Sequence, residues 1–232
     1  MKNIIFSIYI QNNETNLSEK HLNTKLQFEK HLDKLIDVKK EYAKNCNAEF
    51  RLYENDTTYD RFRKKYEGFE FDTINLYKIY LWEKLGKEYD NVLYLDLDVI
   101  PNTTENFFET FDMNKICVYA PNATIDTWSQ KDKKNYKKGK VTWETIVSHK
   151  DKYSEYVKAM CKKAMLVVDN EIDTNYLIAN TAILGGNSIA ISQLKYTDRL
   201  KDMMVVLNKA KDEKFFGEVV SNLFFANNEV FV

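Results

Sequence analysis

The stretch NVLYLDLDVIPN at positions 91–102 decides how this chain is interpreted. The apolar run 92–95 is short, contains β-branched and aromatic residues and is bounded by polar positions, which is typical of a strand buried on both faces of a sheet. Asp96 and Asp98 follow it, and residues at i and i+2 lie on one face of an extended chain. Because two like charges there need a partner, the stretch predicts a divalent cation at the carboxyl end of the strand.

The residue types around this strand narrow the identity of the cation. Carboxylate oxygens on a rigid strand suit a hard cation, so the predicted cofactor is Mn²⁺ or Mg²⁺. Neither Cys nor His lies beside the two aspartates, which argues against zinc. The alternative is a solvated pair that makes only turn and cap hydrogen bonds. Pro101-Asn102 and an Asn102/Glu105 capping pair already supply that chemistry, so the cation site is the favoured interpretation.

Composition limits the classes of function. The chain of 232 residues carries 34 Lys and Arg against 35 Asp and Glu, so no overall field attracts nucleic acid and no nucleic-acid partner is expected. Six Gly, two Pro and no Ser/Gly-rich linker predict a single domain over residues 1–232.

Three scattered cysteines, Cys46, Cys117 and Cys161, predict reduced thiols. Such thiols indicate a cytosol-like compartment, and the apolar run at the N-terminus is too short to span a bilayer. We therefore expect a soluble cytoplasmic protein without a transmembrane segment.

Strands and helices alternate along the sequence. Strands are predicted at 4–10, 48–53, 92–95, 115–120 and 176–184, with a last extended piece at 229–232, and helices at 22–45, 73–85, 142–165, 188–211 and 218–225. A short capped helix is expected to end at Phe111, and the stretch that holds Arg61 and Arg63 is expected to be irregular. This order predicts an α/β fold, in which a mainly parallel central sheet carries helices on both faces.

Three segments around the aspartates resemble nucleotide-sugar-dependent glycosyltransferases of the GT-A fold. These segments are FDTINLYKI at 71–79, followed by WEKL at 82–85; YDNVLYLDLDVIP at 89–101; and NTAILGGN at 180–187. Residues 41–53 are also similar to the first helix and second strand of such enzymes. The resemblance runs in motif order from about residue 1 to 225. It departs at Thr181-Ala182, where many relatives have Ser-Gly or Ala-Gly, so the particular GT-A family stays open.

The resemblance implies a metal-dependent transfer of a sugar from a nucleotide diphosphate sugar, a UDP-sugar in the first instance, to a glycan or glycoprotein acceptor. It assigns Asp96 and Asp98 to the metal, with Asp98 as the main ligand. It further implies a nucleotide- and diphosphate-binding group, a group for the donor sugar or acceptor, and a catalytic base. The nucleotide and diphosphate group consists of Ser7, Tyr9, Lys78 and Asp96. The donor-sugar or acceptor group consists of Asn180, Gly185 and Gly186, and the catalytic base is Glu218.

Each of these residues also has a plainer interpretation. Tyr9 can be an ordinary buried sheet residue, Lys78 a solvated helix charge, and Glu218 a carboxylate favoured by a helix N-terminus. Gly185-Gly186 can serve a tight turn after the strand. Arg61 and Arg63, in the stretch expected to be irregular, are more plausibly solvated charges than diphosphate ligands. The lysine-rich segment 131–140 is read first as a solvated loop and second as a lid.

Two other functions remain open from the sequence. The Asp96-Leu97-Asp98 stretch also resembles the first motif of haloacid-dehalogenase-like phosphatases, and Asp169 with Asp173 vaguely suggests their later acidic motif. Against this, the motif usually opens such chains, whereas here it follows two predicted strands. The second alternative is a sugar-nucleotide-binding module that keeps the fold without turnover.

Overall fold

One mixed sheet organises the chain. A computed structural model describes residues 1–11, 19–66, 73–119, 165, 179–209, 216–226 and 230–231. Its strands are β1 (Asn3–Ile8), β2 (Ala48–Tyr53), β3 (Asn91–Leu95), β4 (Ile116–Tyr119), β5 (Asn180–Asn187) and β6 (Val230–Phe231). The helices within these ranges are α1 (Glu19–Asn45), α2 (Thr57–Lys65), α3 (Thr73–Leu85), α4 (Phe107–Thr110), α5 (Ser188–Gln193), α6 (Tyr196–Lys209) and α7 (Phe216–Phe225).

The strand order is β2-β1-β3-β5-β4-β6. β1 pairs in parallel with both β2 and β3, and β4 pairs in parallel with β6, whereas β5 is antiparallel to its neighbours β3 and β4. The prediction of a mainly parallel sheet is thereby confirmed. Since β2 and β3 lie on opposite sides of β1, the order reverses between β1 and β3. Open α/β sheets bind ligands at the carboxyl ends of strands at such a reversal.

Alternate residues of the strands face two different helical layers. Ile4 and Phe6 of β1 belong to the larger core cluster with Trp82 of α3, whereas Ile5 belongs to a second cluster with Tyr42 of α1. Each fully buried side chain of this kind contributes roughly 1.5–3 kcal/mol relative to exposure. The helices therefore cover both faces of the sheet, as the alternating pattern predicts.

A helix occupies most of the stretch that was expected to be irregular. α2 begins after Asp56, whose carboxylate accepts hydrogen bonds of 2.8 Å from the backbone amides of Thr58 and Tyr59. Tyr59 and Phe62 are buried, at a spacing of one helical turn. The expectation of an irregular segment is therefore wrong here. The Asp56 N-cap and the Tyr59/Phe62 pair at i and i+3 were the sequence signals that indicate this helix.

Two further boundaries differ from the prediction. The expected helix over 188–211 is two helices, broken at Lys195, whose φ of 48° is left-handed. The short helix α4 is capped by Asn106, whose side chain accepts from the amide of Phe108, and not by the Asn102/Glu105 pair. By contrast, β2 and α3 have the predicted bounds.

Several predictions lie wholly or partly outside the described residues. These are the helix over 142–165 apart from the buried Met165, the lysine-rich segment 131–140, the later acidic pair at 169 and 173, and Cys161. Cys46 and Cys117 are buried free thiols, as expected for small apolar core residues. Among the helical residues that the structure describes, no helix has the length and apolar character needed to cross a membrane.

Candidate functional site

The candidate site lies where β1 and β3 end. Ser7 is fully buried, and its hydroxyl donates a 2.6 Å hydrogen bond to the carbonyl of Leu95, the last residue of β3. This bond joins the two strands directly below the aspartates. Ser7 therefore stabilises the pairing of β1 with the end of β3. Its contact with a nucleotide stays a prediction.

Tyr9 continues β1 beyond its last strand residue. Its amide donates to the carbonyl of Tyr53 at 2.8 Å, and its side chain is only 8% exposed. The buried hydroxyl has no hydrogen-bond partner within the described part of the chain. Burial, followed by the charge of Glu29, raises the pKa of Tyr9, so the phenol is neutral at physiological pH. A neutral, unpartnered hydroxyl at a strand end is a group that a ligand can engage.

Asp96 is held by a buried cluster that includes one of the predicted site residues. Its Oδ1 accepts a short hydrogen bond from the hydroxyl of Tyr94 and lies 3.5 Å from the ammonium of Lys78. The Lys78 side chain is nearly fully buried, with its ammonium 5.3 Å from the centre of the Tyr94 ring. A buried lysine of this kind needs a charged partner. Lys78 is therefore not the solvated helix charge of the plainer interpretation.

Tyr94 acts as a fixed proton donor in this cluster. Burial in the first place, and the neighbouring charge of Asp96 in the second, raise the pKa of Tyr94 well above its ordinary value. The hydroxyl therefore keeps its proton and donates a hydrogen bond to Oδ1 of Asp96. On the other side, the amide of Asp96 donates to the carbonyl of Ala182 in β5 at 2.8 Å. Side chain and backbone of Asp96 are both fixed as a result.

Asp98 lies in a turn, not on the strand. β3 ends at Leu95, and the amide of Val99 donates to the carbonyl of Asp96 at 3.0 Å, which closes the turn. Within it, Leu97 points into the core and is 5% exposed, whereas Asp98 is exposed. The argument that both carboxylates share one face of an extended strand is therefore wrong. Both aspartates instead belong to the turn that this hydrogen bond closes.

A second buried lysine, which the sequence reading missed, lies under this turn. Lys39 of α1 is fully buried, and its ammonium donates 2.8 Å hydrogen bonds to the carbonyls of Leu97 and Val99. Burial lowers the pKa of Lys39 to about 8, against the opposing effect of Asp98 and then Asp96. A signal was available in the sequence. Lys39 lies three residues before Tyr42, on the buried face of α1.

The antiparallel direction of β5 separates the residues predicted for sugar or acceptor. Asn180 lies at the end of β5 that adjoins Asp96, and its side chain accepts a 2.7 Å bond from the amide of Ala182. Gly185 and Gly186 instead pair with Leu93 and Val92, which precede Asp96 by three and four residues, or roughly 10–13 Å at about 3.3 Å per residue. The strand register therefore places Asn180 at the end of β5 that adjoins Asp96, and it places the two glycines further from that end.

Packing explains both glycines. A Cβ at Gly185 would lie 2.6 Å from the Phe107 ring, and a Cβ at Gly186 would lie 3.2 Å from Ile191. Both residues continue β5, so the alternative interpretation of a tight turn at these glycines is wrong. A contact between these glycines and a ligand stays a prediction.

The remaining candidates are placed as follows. Arg61 and Arg63 are exposed on α2, in agreement with the interpretation as solvated charges. Glu218 belongs to the first turns of α7, but its side chain is outside the described residues. The base assigned to Glu218 therefore stays a prediction.

The turn has the donor set of a hard-cation site. Asp98 offers an exposed carboxylate, and the described contacts of Asp96 involve Oδ1 and leave Oδ2 to a ligand. In the part of the chain that is described, no group of three or more His, Cys, Asp and Glu can hold a metal ion. Two carboxylates, completed by phosphate and water oxygens, are an arrangement that Mg²⁺ and similar ions use. The residues present therefore fit Mn²⁺ or Mg²⁺ bound together with a phosphate ligand.

Space for a ligand adjoins this turn. A groove of about 530 Å³ runs beside Asp98 and Ile100 and is lined on its other side by α1, including Leu35 and Val38. A second groove, of about 600 Å³, lies at the opposite, amino end of β1, next to Lys2 and away from the carboxylates. Only the first adjoins the candidate site.

Comparison with known proteins supports the fold. A solved structure of the galactosyltransferase LgtC, crystallised with donor and acceptor sugar analogues, matches 98% of this chain and 72% of its own length, with a TM-score of 0.50 and 12% identity. At that identity the likeness shows the fold alone. No protein-family model matches the chain, and a search of curated proteins gives no match. The chain therefore has a GT-A-like α/β fold, with its carboxylate turn at the reversal point of the sheet.

Proposed function

We propose that this protein transfers a sugar from a nucleotide diphosphate sugar, with a UDP-sugar as the first donor to test, to a glycan or glycoprotein acceptor in a metal-dependent reaction. The observation that carries the proposal is the Lys78–Asp96 pair beside the exposed Asp98, at the point where the strand order reverses. The likeness of the fold to a galactosyltransferase structure supports it at the level of reaction class.

Charge is the physical reason for this choice of donor. A nucleoside diphosphate that leaves an anomeric carbon carries negative charge, which needs compensation within the site. Mn²⁺ or Mg²⁺ held by Asp98 and Asp96 would supply Lewis-acid stabilisation of that leaving group. Lys78 adds a fixed cation next to Asp96, and Tyr94 keeps the Asp96 carboxylate in one orientation. The chain therefore supplies ligands and a positive charge that are preorganised for a diphosphate.

Other residues take the roles that do not involve the diphosphate. The hydroxyl and ring of Tyr9, at the end of β1, are assigned to the nucleotide, whose base an aromatic ring can stack on. Asn180, beside the Asp96 turn, is assigned to sugar hydroxyls, and Glu218 to deprotonation of the acceptor. Asp96 and Asp98 hold the leaving group in this scheme and do not serve as the base.

The proposal is tested by the release of nucleoside diphosphate from a panel of nucleotide sugars, with and without Mn²⁺. We expect Mn²⁺-dependent release in the wild-type protein and its loss in Asp98→Ala. The control is Asp60→Ala, which removes an exposed aspartate on α2, far along the chain from the turn. Equal Mn²⁺-dependent activity in wild type and Asp98→Ala would contradict the assignment.

Two further assays separate the two alternative functions from a glycosyltransferase. Phosphate release from a generic phosphoester that is lost in Asp96→Asn would support the phosphatase. Metal-dependent nucleotide binding without turnover across a broad acceptor panel would support a binding module. Among these functions, the position of the carboxylate turn after β1 and β2 favours the glycosyltransferase.

A further inference from the structure

Lys39 lies under the carboxylate turn, and the described hydrogen bonds of its ammonium go to backbone carbonyls and not to a carboxylate. It is fully buried in α1, and its ammonium donates to the carbonyls of Leu97 and Val99, the residues on either side of Asp98. Both donor–acceptor distances are 2.8 Å, which is typical of strong, charge-assisted hydrogen bonds. The contacts are therefore specific to the backbone that carries Asp98.

The turn needs such a partner because the sheet does not supply one. β3 ends at Leu95, so the carbonyls of Leu97 and Val99 lie beyond the ladder of strand hydrogen bonds. A buried carbonyl without a partner costs free energy comparable to a lost hydrogen bond. The Lys39 ammonium satisfies both carbonyls with one group and holds them at a fixed separation. The backbone conformation at Asp98 is thereby determined from α1.

Packing alone does not explain a lysine at this position. The next inward-facing positions of α1 are the core residues Tyr42, Ala43 and Cys46. An apolar residue at position 39 would fill the same space without the cost of burying an ammonium group. The lysine therefore serves the turn, since its head group has two turn carbonyls as hydrogen-bond partners.

The two helical layers thus each contribute one buried lysine to the same turn. Lys78 of α3 reaches the carboxylate of Asp96 from one face of the sheet. Lys39 of α1 reaches the backbone around Asp98 from the other face. Lys78 acts on a predicted ligand directly, whereas Lys39 acts through the conformation of the chain.

We propose that Lys39 is a positioning residue, which fixes the 96–99 turn so that the Asp98 carboxylate is preorganised to bind the metal ion. This inference rests on the proposed function, because it takes Asp98 as a metal ligand. Without the two hydrogen bonds, the turn samples other conformations, and metal binding has to restore the productive one. Part of the binding free energy is then used for ordering, so the apparent affinity falls.

The test is the dissociation constant of Mn²⁺ in the presence of saturating UDP, measured by electron paramagnetic resonance of free Mn²⁺. Lys39→Met keeps an unbranched side chain of similar length and removes the ammonium. We expect the dissociation constant to rise at least tenfold. The matched control is Tyr42→Phe. It removes another hydrogen bond from α1 to the segment between β3 and α4, namely the 3.1 Å bond from the Tyr42 hydroxyl to the carbonyl of Glu105. This control should bind Mn²⁺ as the wild type does.

A second measurement addresses the turn itself, without metal. In hydrogen exchange, the amide of Val99, which bonds to the carbonyl of Asp96, should lose protection in Lys39→Met, while the amides of β1 and β3 keep theirs. If Lys39→Met does not fold, Lys39→Gln takes its place, since a shorter amide cannot replace both bonds. An unchanged Mn²⁺ constant, or an equal rise in Tyr42→Phe, overturns the inference. Failure of the wild-type protein to bind Mn²⁺ at all would instead overturn the proposed function.

Discussion

Gly185→Ala offers a sharp test of how β5 is packed. A Cβ at this position would lie 2.6 Å from Cε1 and 3.0 Å from Cζ of Phe107, and 3.2 Å from Cβ of Cys117. Since carbon atoms prefer separations of about 3.5–4.0 Å, the Phe107 ring has to move by roughly 1 Å. That ring already packs against Phe111, with centroids 4.5 Å apart, so movement disturbs a second contact.

The expected cost follows from these contacts. Overpacking of this kind costs about 1–3 kcal/mol, and the loss of unfolded-chain freedom from Gly to Ala returns roughly 0.4–1 kcal/mol. The net destabilisation should be about 0–2.6 kcal/mol, with a midpoint of about 1.3 kcal/mol, which for a chain of this size lowers the melting temperature by up to about 10 °C. Urea and thermal unfolding would measure it. Gly186→Ala is the matched control, because its nearest atom, Cγ1 of Ile191, is at 3.2 Å, and its cost should be smaller.

A double-mutant cycle with Phe107→Leu locates the cause. A smaller side chain at 107 leaves room for the new methyl group, so the two changes together should cost less than their sum. Nucleotide affinity should stay unchanged in Gly185→Ala, because this glycine pairs with Leu93 and lies away from the carboxylate turn. Wild-type stability combined with lost nucleotide affinity would refute the packing explanation and support a ligand contact at Gly185.

Three further outcomes are expected. Lys78→Met should weaken UDP binding about tenfold or more, in line with the roughly 1.5–3 kcal/mol of a hydrogen bond to a charged group, while Lys84→Met, exposed on the same helix, should not. Asn222→Ala should lower the free energy of unfolding in urea by about 2–4 kcal/mol, because the buried Asn222 amide bonds both the N–H (2.8 Å) and the carbonyl (3.0 Å) of Ala179. Tyr196 is fully buried, and burial raises its pKa above the ordinary value of 10. The free energy of unfolding should therefore fall as the pH rises above about 10, and the absorbance of the Tyr196 phenolate should appear together with unfolding. A gradual rise in phenolate absorbance while the protein stays folded would contradict this.

The sequence allowed much of the architecture to be predicted, because its signals there are local. The bounds of β2 and α3 follow from a short alternating run and from a helical pattern that ends at Gly86. The carboxylate turn was located because an apolar run ends abruptly in two aspartates. Such signals depend on neighbouring residues and do not need tertiary information.

What escaped prediction depends on partners that are distant in the chain. The direction of β5 is fixed by pairing with β3, about ninety positions earlier, and it separates Asn180 from the two glycines. The role of Lys39 depends on carbonyls at positions 97 and 99, which no property of α1 announces. The spacing to Tyr42 indicates that Lys39 lies on the buried face of α1, but it does not identify the two carbonyls.

The central claim is that the end of β3 binds a metal ion together with a nucleoside diphosphate. Crystals soaked with Mn²⁺ and UDP, with data collected at the manganese absorption edge, test it most directly. We expect an anomalous peak coordinated by the Asp98 carboxylate, the diphosphate beside Lys78 and Asp96, and the uracil at the end of β1 near Tyr9. An ordered UDP bound elsewhere, or a manganese peak that neither aspartate contacts, would contradict it.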